Sequence, residues 1–310
     1  MNAAPLSSGA RWLTYFRERF PLLGHGVPIA VWVLAVQGYA RVQTAAPPWA
    51  GLLQFGAAFL TVLLVFLQLR ILDEFKDFQD DARYRPYRPV PRGLVSLREL
   101  GRLGVIAGCI QLVASAALGV AAVAWLVVIW AYAWLMREEF FAPRWLRAHP
   151  AIYMVSHMLI VPLILLYLVS GAGVQVGEVV LAALAGASYL TFCVFEVGRK
   201  IRAPTDEREG VDTYSCRWGL RRAVGVWLCL LAAAAAFAVL SAPAVTSYLV
   251  MGAVVVPVLL VASIASRHFL RDPRPGGGKV FLTLSATWML ALYASLAVLA
   301  FAASHSVPLR

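Results

Sequence analysis

Apolar residues run through this chain in long blocks, and polar residues fall between them. Nine blocks are long enough to cross a bilayer as helices: roughly 24–44, 50–71, 99–119, 120–136, 151–172, 177–197, 222–242, 245–265 and 280–303. A turn at Gly119 separates the third block from the fourth. The pattern predicts an all-α polytopic membrane protein with nine transmembrane helices; a central cavity among them is expected because the two polar loops described next fall on one side. No polar block is long enough for a separate soluble domain, so residues 1–310 read as one domain.

The polar positions are unevenly placed. Two loops, 73–98 and 198–222, hold most of them. If the N-terminus is taken as cytoplasmic, all but Arg41 and Arg310 of the 27 Lys and Arg lie on that side. All but Glu178 of the 16 Asp and Glu lie there too, or at the end of a span facing it. The expected orientation is N-terminus in and C-terminus out. The expected location is a bacterial cytoplasmic membrane. The formal charge of +11 is the signature of that asymmetry and of attraction to anionic headgroups, and it does not point to nucleic acid. The four cysteines have no paired spacing that would suggest zinc or a disulfide framework.

The first polar loop carries the most chemistry. Asp73, Asp77 and Asp81 are spaced i, i+4, i+8, which places three carboxylates on one helical stripe beside Glu74 and Lys76. Like charges at that spacing repel unless a cation lies between them. A Mg²⁺ site holding a phosphate-bearing substrate satisfies that requirement, with Arg83 and Arg88 close by in sequence. The rival explanation is a set of ordinary solvated loop charges.

The run Asp73-Glu74-x-x-Asp77-x-x-x-Asp81, followed by Arg88-Pro89-Val90-Pro91-Arg92-Gly93, resembles the first signature of the UbiA-type intramembrane prenyltransferases. That signature has Asn and Asp where this chain has Asp73 and Glu74. The resemblance implies a nine-helix fold and Mg²⁺-dependent transfer of a prenyl group from a prenyl diphosphate to an aromatic or lipid acceptor. It implies catalytic and metal-binding roles for Asp73, Asp77 and Asp81, with Glu74 as a further ligand. The family's second acidic motif belongs at the end of span six. There this chain offers Glu196 and Asp206 as ligands, and Arg199, Lys200 and Arg202 where carboxylates are expected. The family's Tyr-x-x-x-Lys near the end of span four is met by Tyr132, with Met136 at the lysine position and Arg137 after it. Lys76, Arg83, Arg88, Tyr132, Arg137, Arg199, Lys200 and Arg202 are therefore expected to bind the diphosphate.

His157 is a polar residue inside span five. It is expected at the acceptor, against the equal alternative of a buried histidine bonded to a neighbouring helix. Three other readings stand beside the transferase. A UbiA-like terpene cyclase, or a member degenerate in function, is kept open by the altered second motif. A CDP-alcohol-type lipid transferase also uses acids four residues apart, but its D-G-x-x-A-R segment is absent. A transporter would need charge at mid-bilayer depth, and almost none is found there.

Overall fold

The computed structural model describes residues 7–42, 51–241 and 248–305. The expected span limits at 44, 50, 242 and 245, and Arg310, lie outside the described residues. Among those residues every regular element is a helix, and there are no strands. The helices are α1 (Ser8–Arg19), α2 (Leu22–Val42), α3 (Leu52–Lys76), α4 (Phe78–Tyr84), α5 (Leu97–Leu118), α6 (Val120–Arg137), α7 (Pro143–Ala148), α8 (Pro150–Met158), α9 (Ile160–Gly171), α10 (Glu178–Gly198), α11 (Tyr214–Trp218), α12 (Leu220–Ser241), α13 (Tyr248–Arg271) and α14 (Lys279–His305). Nine of the described spans are long and apolar enough to cross a membrane, with α8 and α9 together forming the fifth.

The fifth span is read as two helices because Pro162 lacks an amide hydrogen, which removes the bond that Met158 C=O would accept. The break at Leu159 keeps helical backbone angles, so the two halves form one span. The third and fourth spans are parted by a single residue. Gly119 adopts φ 112°, a left-handed conformation that suits glycine, and the chain reverses there.

Each span packs on the next, and α14 closes the ring by packing along α2. One continuous core fills the interior, with Trp32, Trp227, Trp288, Tyr39, Tyr167 and Tyr293 fully buried. Trp32 lies 4.9 Å from Phe192 across the ring. The polar tips in this core are mostly paired, as an apolar solvent demands. Trp227 Nε1 donates to Ser285 Oγ at 3.0 Å, and Trp288 Nε1 to Thr191 Oγ1 at 3.0 Å. Tyr39 OH donates to the Ser241 carbonyl at 2.8 Å.

Gly198, at the end of α10, sits where no side chain fits. A Cβ there would lie 2.9 Å from both the Phe281 carbonyl and Trp227 Nε1, and would also strike Ser285 Oγ. Gly198→Ala is expected to lower stability by about 1–3 kcal/mol through overpacking. A fall in the thermal midpoint of the detergent-solubilised protein checks this, and an unchanged midpoint refutes it.

A second, smaller core lies on the outer side of α3. Tyr15 and Phe20 from the α1 segment pack there with Leu67, Ile71, Val90, Val95 and Leu100. The start of α5 is fixed by a capping box. Ser96 Oγ accepts from Glu99 N at 3.2 Å, and Glu99 Oε2 accepts from Ser96 N at 2.8 Å. Arg11 Nη2 then donates to Glu99 Oε1 at 2.7 Å, tying α1 to that cap.

Candidate active site

The first motif straddles the end of α3. Asp77 leaves helical geometry at φ −91°, ψ 4°, and α4 begins directly after it. The backbone ladder nevertheless continues: Asp77 N–H bonds Asp73 C=O at 2.8 Å, and Asp81 N–H bonds Asp77 C=O at 2.8 Å. The stripe survives, but its three carboxylates have different surroundings.

Asp73 is half exposed, with Arg70 at 3.7 Å and Lys76 at 3.8 Å. Asp77 is partly buried and has no ion pair among the described residues. Its pKa is raised, mainly by burial, with the charges of Asp73 and Asp81 adding to the rise against Lys76 and Arg85. Asp81 is fully buried. It accepts from Arg85 at 2.9 Å and Arg88 at 2.5 Å, and Arg19 lies 4.0 Å away. Glu74 is also buried and accepts from Arg19 Nε at 2.5 Å. The repulsion is thus met at one end by the guanidinium groups of Arg19, Arg85 and Arg88, and this pairing commits Glu74, Asp81 and Arg88 to one another's neighbourhood. Burial shifts the Arg88 pKa down.

The second loop is organised around Glu196, which is buried between Arg199 at 2.5 Å and Lys200 at 2.8 Å. The Arg199 pKa is raised, chiefly by the Glu196 charge, and Asp73 contributes in the same direction. The ends of α3 and α10 therefore share one electrostatic field. The loops also touch. Arg85 Nη2 donates to Gly210 C=O at 3.1 Å, and Gly210 rests so closely on the Tyr84 ring that a Cβ would collide with it.

Arg202 has no ion pair among the described residues, while its amide donates to Ser215 Oγ at 2.9 Å. Asp206 faces elsewhere, accepting from Gly276 N–H at 2.7 Å. Arg83 lies over the Tyr84 ring at the surface. Tyr132 OH donates to the Ser156 carbonyl at 2.6 Å. Arg137 lies across the Phe75 ring on the outer side of α3 and pairs with Glu138 at 2.8 Å. Lys76 Nζ donates to Tyr153 OH at 2.8 Å, and the Tyr153 ring stacks on His157 at 4.0 Å. His157 Nδ1 lies 2.9 Å from the Tyr153 carbonyl, which can only accept. Nδ1 therefore carries the proton, and the buried Nε2 has no partner among the described residues.

The structure thus brings Asp73, Asp77, Lys76, His157, Glu196, Arg199 and Lys200 to one end of the bundle. It does not bring Arg83, Arg137 or Asp206 to them. Sequence reasoning missed Arg19 as the partner of two acids and Glu207 as the clamp of the second loop. Glu207 accepts from Thr213 Oγ1 at 2.7 Å and Ser215 Oγ at 2.6 Å. The apolar spacing of Trp12, Tyr15 and Phe16 was the available signal that α1 docks and carries Arg19 inward.

The sequence profile of the UbiA prenyltransferase family matches residues 30–289. The chain belongs to that family. Among curated proteins none is similar enough in sequence to count as a relative. Three solved structures place the UbiA fold beyond the sequence match. One comes from work on digeranylgeranylglyceryl phosphate synthase; it is 15% identical with TM-score 0.62, covering 94% of this chain and 99% of that one. A UbiA homologue from Aeropyrum pernix K1 is 16% identical with TM-score 0.61, covering 89% and 96%. A UbiA homologue from Archaeoglobus fulgidus, bound to GPP and Mg²⁺, is 16% identical with TM-score 0.59, covering 94% and 99%. At these identities the likeness carries the fold.

Among the described residues no three His, Cys, Asp or Glu side chains converge on one point, so the protein alone forms no closed metal cage. Mg²⁺ does not need one. It typically takes one or two carboxylates and completes its shell with water and substrate phosphates. Asp73, held only by the longer contacts to Arg70 and Lys76, and Asp77, without an ion pair among the described residues, fit that requirement.

Proposed function

We propose that this UbiA-family membrane protein transfers a prenyl group from a prenyl diphosphate to an acceptor, at the membrane face where α3 and α10 end. One observation carries the reading: the acids of the first motif and the basic end of α10 lie in a shared field, with their loops in contact. The positive-inside pattern supports a cytoplasmic position for that face. Mg²⁺ held by Asp73 and Asp77 would supply positive charge against the diphosphate as its allylic C–O bond breaks.

The chain's own groups do the rest. Arg199, Lys200 and Arg202 bind the diphosphate oxygens, and Arg202 brings a guanidinium with no internal ion pair. Glu196 fixes Arg199 and Lys200 in position rather than ligating metal. Asp81 and Glu74 anchor the first loop through Arg19, Arg85 and Arg88. The stacked Tyr153 and His157 rings keep water from the reacting carbon. His157 Nε2, the lone-pair nitrogen, accepts a hydrogen bond from the acceptor's hydroxyl and so orients it.

Membranes incubated with a labelled prenyl diphosphate and a panel of phenolic, porphyrin-type and lipid alcohols, followed by product mass spectrometry, test this reading. A prenylated acceptor is the expected product. A cyclised hydrocarbon formed without any acceptor would favour the terpene cyclase, and no product from any mixture would remove the transferase.

The raised Asp77 pKa makes metal binding pH-dependent. Below that pKa the carboxyl is protonated and competes with the ion, so Mg²⁺ affinity rises with pH through it and levels off above. Without a cation the sign for stability is the reverse: stability present below the ordinary aspartate pKa is lost as pH rises through the raised one. Calorimetric Mg²⁺ titration in buffers of different ionisation enthalpy should show proton release that Asp77→Asn removes. A pH-independent affinity would show that Asp77 is not a ligand.

A further inference from the structure

A groove of about 480 Å³ runs along the lipid-facing side of α3, α5 and α6. It belongs to none of the chemistry above. Its α3 wall is Gln68, Ile71, Leu72 and Phe75, a face turned more than a right angle from Asp73 on the same helix. Gly101, Gly104 and Gly108 form its floor on α5, and it opens at Val105 and Trp134, which are 68% and 51% exposed. Along α5 it reaches from Gly101 to Gly108, on the order of 10 Å into the bilayer. The volume falls within the range, roughly 300–1,000 Å³, that holds small ligands.

The groove is apolar along its length and basic at one end. Arg137 lines that end. Arg98 precedes Gly101 by three residues and Val105 by seven, so it lies on the same α5 face one turn nearer the surface. Arg102 adjoins it. Neither Arg98 nor Arg102 has an ion pair among the described residues. Arg137 lies over the Phe75 ring, and its one ion pair among the described residues is with its half-exposed neighbour Glu138, a contact of the weak surface kind. Two arginines without an ion pair and a third held only by a weak surface contact, at the end of an apolar slot, fit an anionic lipid.

We propose that this groove binds an anionic phospholipid, with one acyl chain along the glycine floor and the phosphate at Arg137 and Arg98. The lipid then braces the face of α3 opposite Asp73, independently of whether the transferase reading holds.

Full-length protein in mild detergent, given equimolar phosphatidylglycerol and phosphatidylcholine, is read by native mass spectrometry. Wild type should retain phosphatidylglycerol preferentially. Each of Arg98→Gln and Arg137→Gln should reduce that preference roughly fivefold, the share of one basic residue at an anionic surface. Gly104→Leu fills the slot and should remove the retained lipid. If that variant does not fold, Val105→Trp closes the slot from its exposed rim. Equal retention of the two lipids by wild type, or a preference that survives both arginine changes, overturns the proposal. So does displacement of the bound lipid by one equivalent of geranyl diphosphate, which would make the groove a donor-tail site.

Discussion

Asp77→Asn should leave a protein that expresses and folds as wild type but turns over at least about a hundredfold more slowly. The change removes a charge and almost no volume. Asp77 makes no ion pair among the described residues, so the fold loses no partner with it. Its raised pKa means that ionising it already costs the free protein, and the asparagine variant should be marginally more stable without metal. On the proposed reading the function lost is charge placed where pyrophosphate leaves, and single electrostatic groups of this kind are worth about 10²–10³ in rate. Initial rates with saturating prenyl diphosphate and Mg²⁺, beside a thermal melt, separate the two effects. Wild-type turnover in the variant would remove Asp77 from the site.

The largest loss of stability is expected at Arg19, a residue without a catalytic role. Glu74 is almost wholly buried against it, and Asp81 lies at 4.0 Å. Arg19→Met keeps the aliphatic stem against Tyr15 and Phe20 but leaves the Glu74 carboxylate buried without its partner. Breaking a buried pair from one side typically costs about 3–5 kcal/mol. The double change Arg19→Met with Glu74→Gln should recover much of that, because the uncompensated charge is gone. Chemical denaturation of the single and double variants in detergent measures both. A single variant within about 0.5 kcal/mol of wild type, the range of ordinary surface changes, would show that the pair is not a structural anchor.

The spans were legible because the bilayer imposes one simple demand, an apolar length, and the chain meets it nine times. Their ends were less so. The second span was expected to stop near 71, yet α3 runs to Lys76. The eighth was expected to end near 265, yet α13 runs to Arg271. Apolarity stops at the membrane surface, but backbone hydrogen bonds continue while the residues favour a helix. The extra turns matter, since they carry Asp73 and Glu74. The motif itself was legible from its spacing. The division of its acids between arginine-bound and uncommitted was not, because the partner of Glu74 lies 55 residues earlier on a short surface helix. Spacing likewise suggested Arg137 for the diphosphate, whereas the direction of α6 turns it to the opposite side of α3. Asp206 stands where the second acidic motif would put a ligand, and its carboxylate instead braces the turn at Gly276.

The seam between α2 and α14 bears on how the protein is made. A nascent chain that has delivered everything through α13 already contains every acid, arginine and ring of the candidate site. The flank of α2 that α14 covers still faces lipid at that stage, and Trp227 and Thr191 still lack the Ser285 and Trp288 partners that α14 brings. Until its last helix inserts, the protein is an open horseshoe with its chemistry unsheltered, so a ribosome stalled just before α14 should yield a membrane-integrated but inactive intermediate.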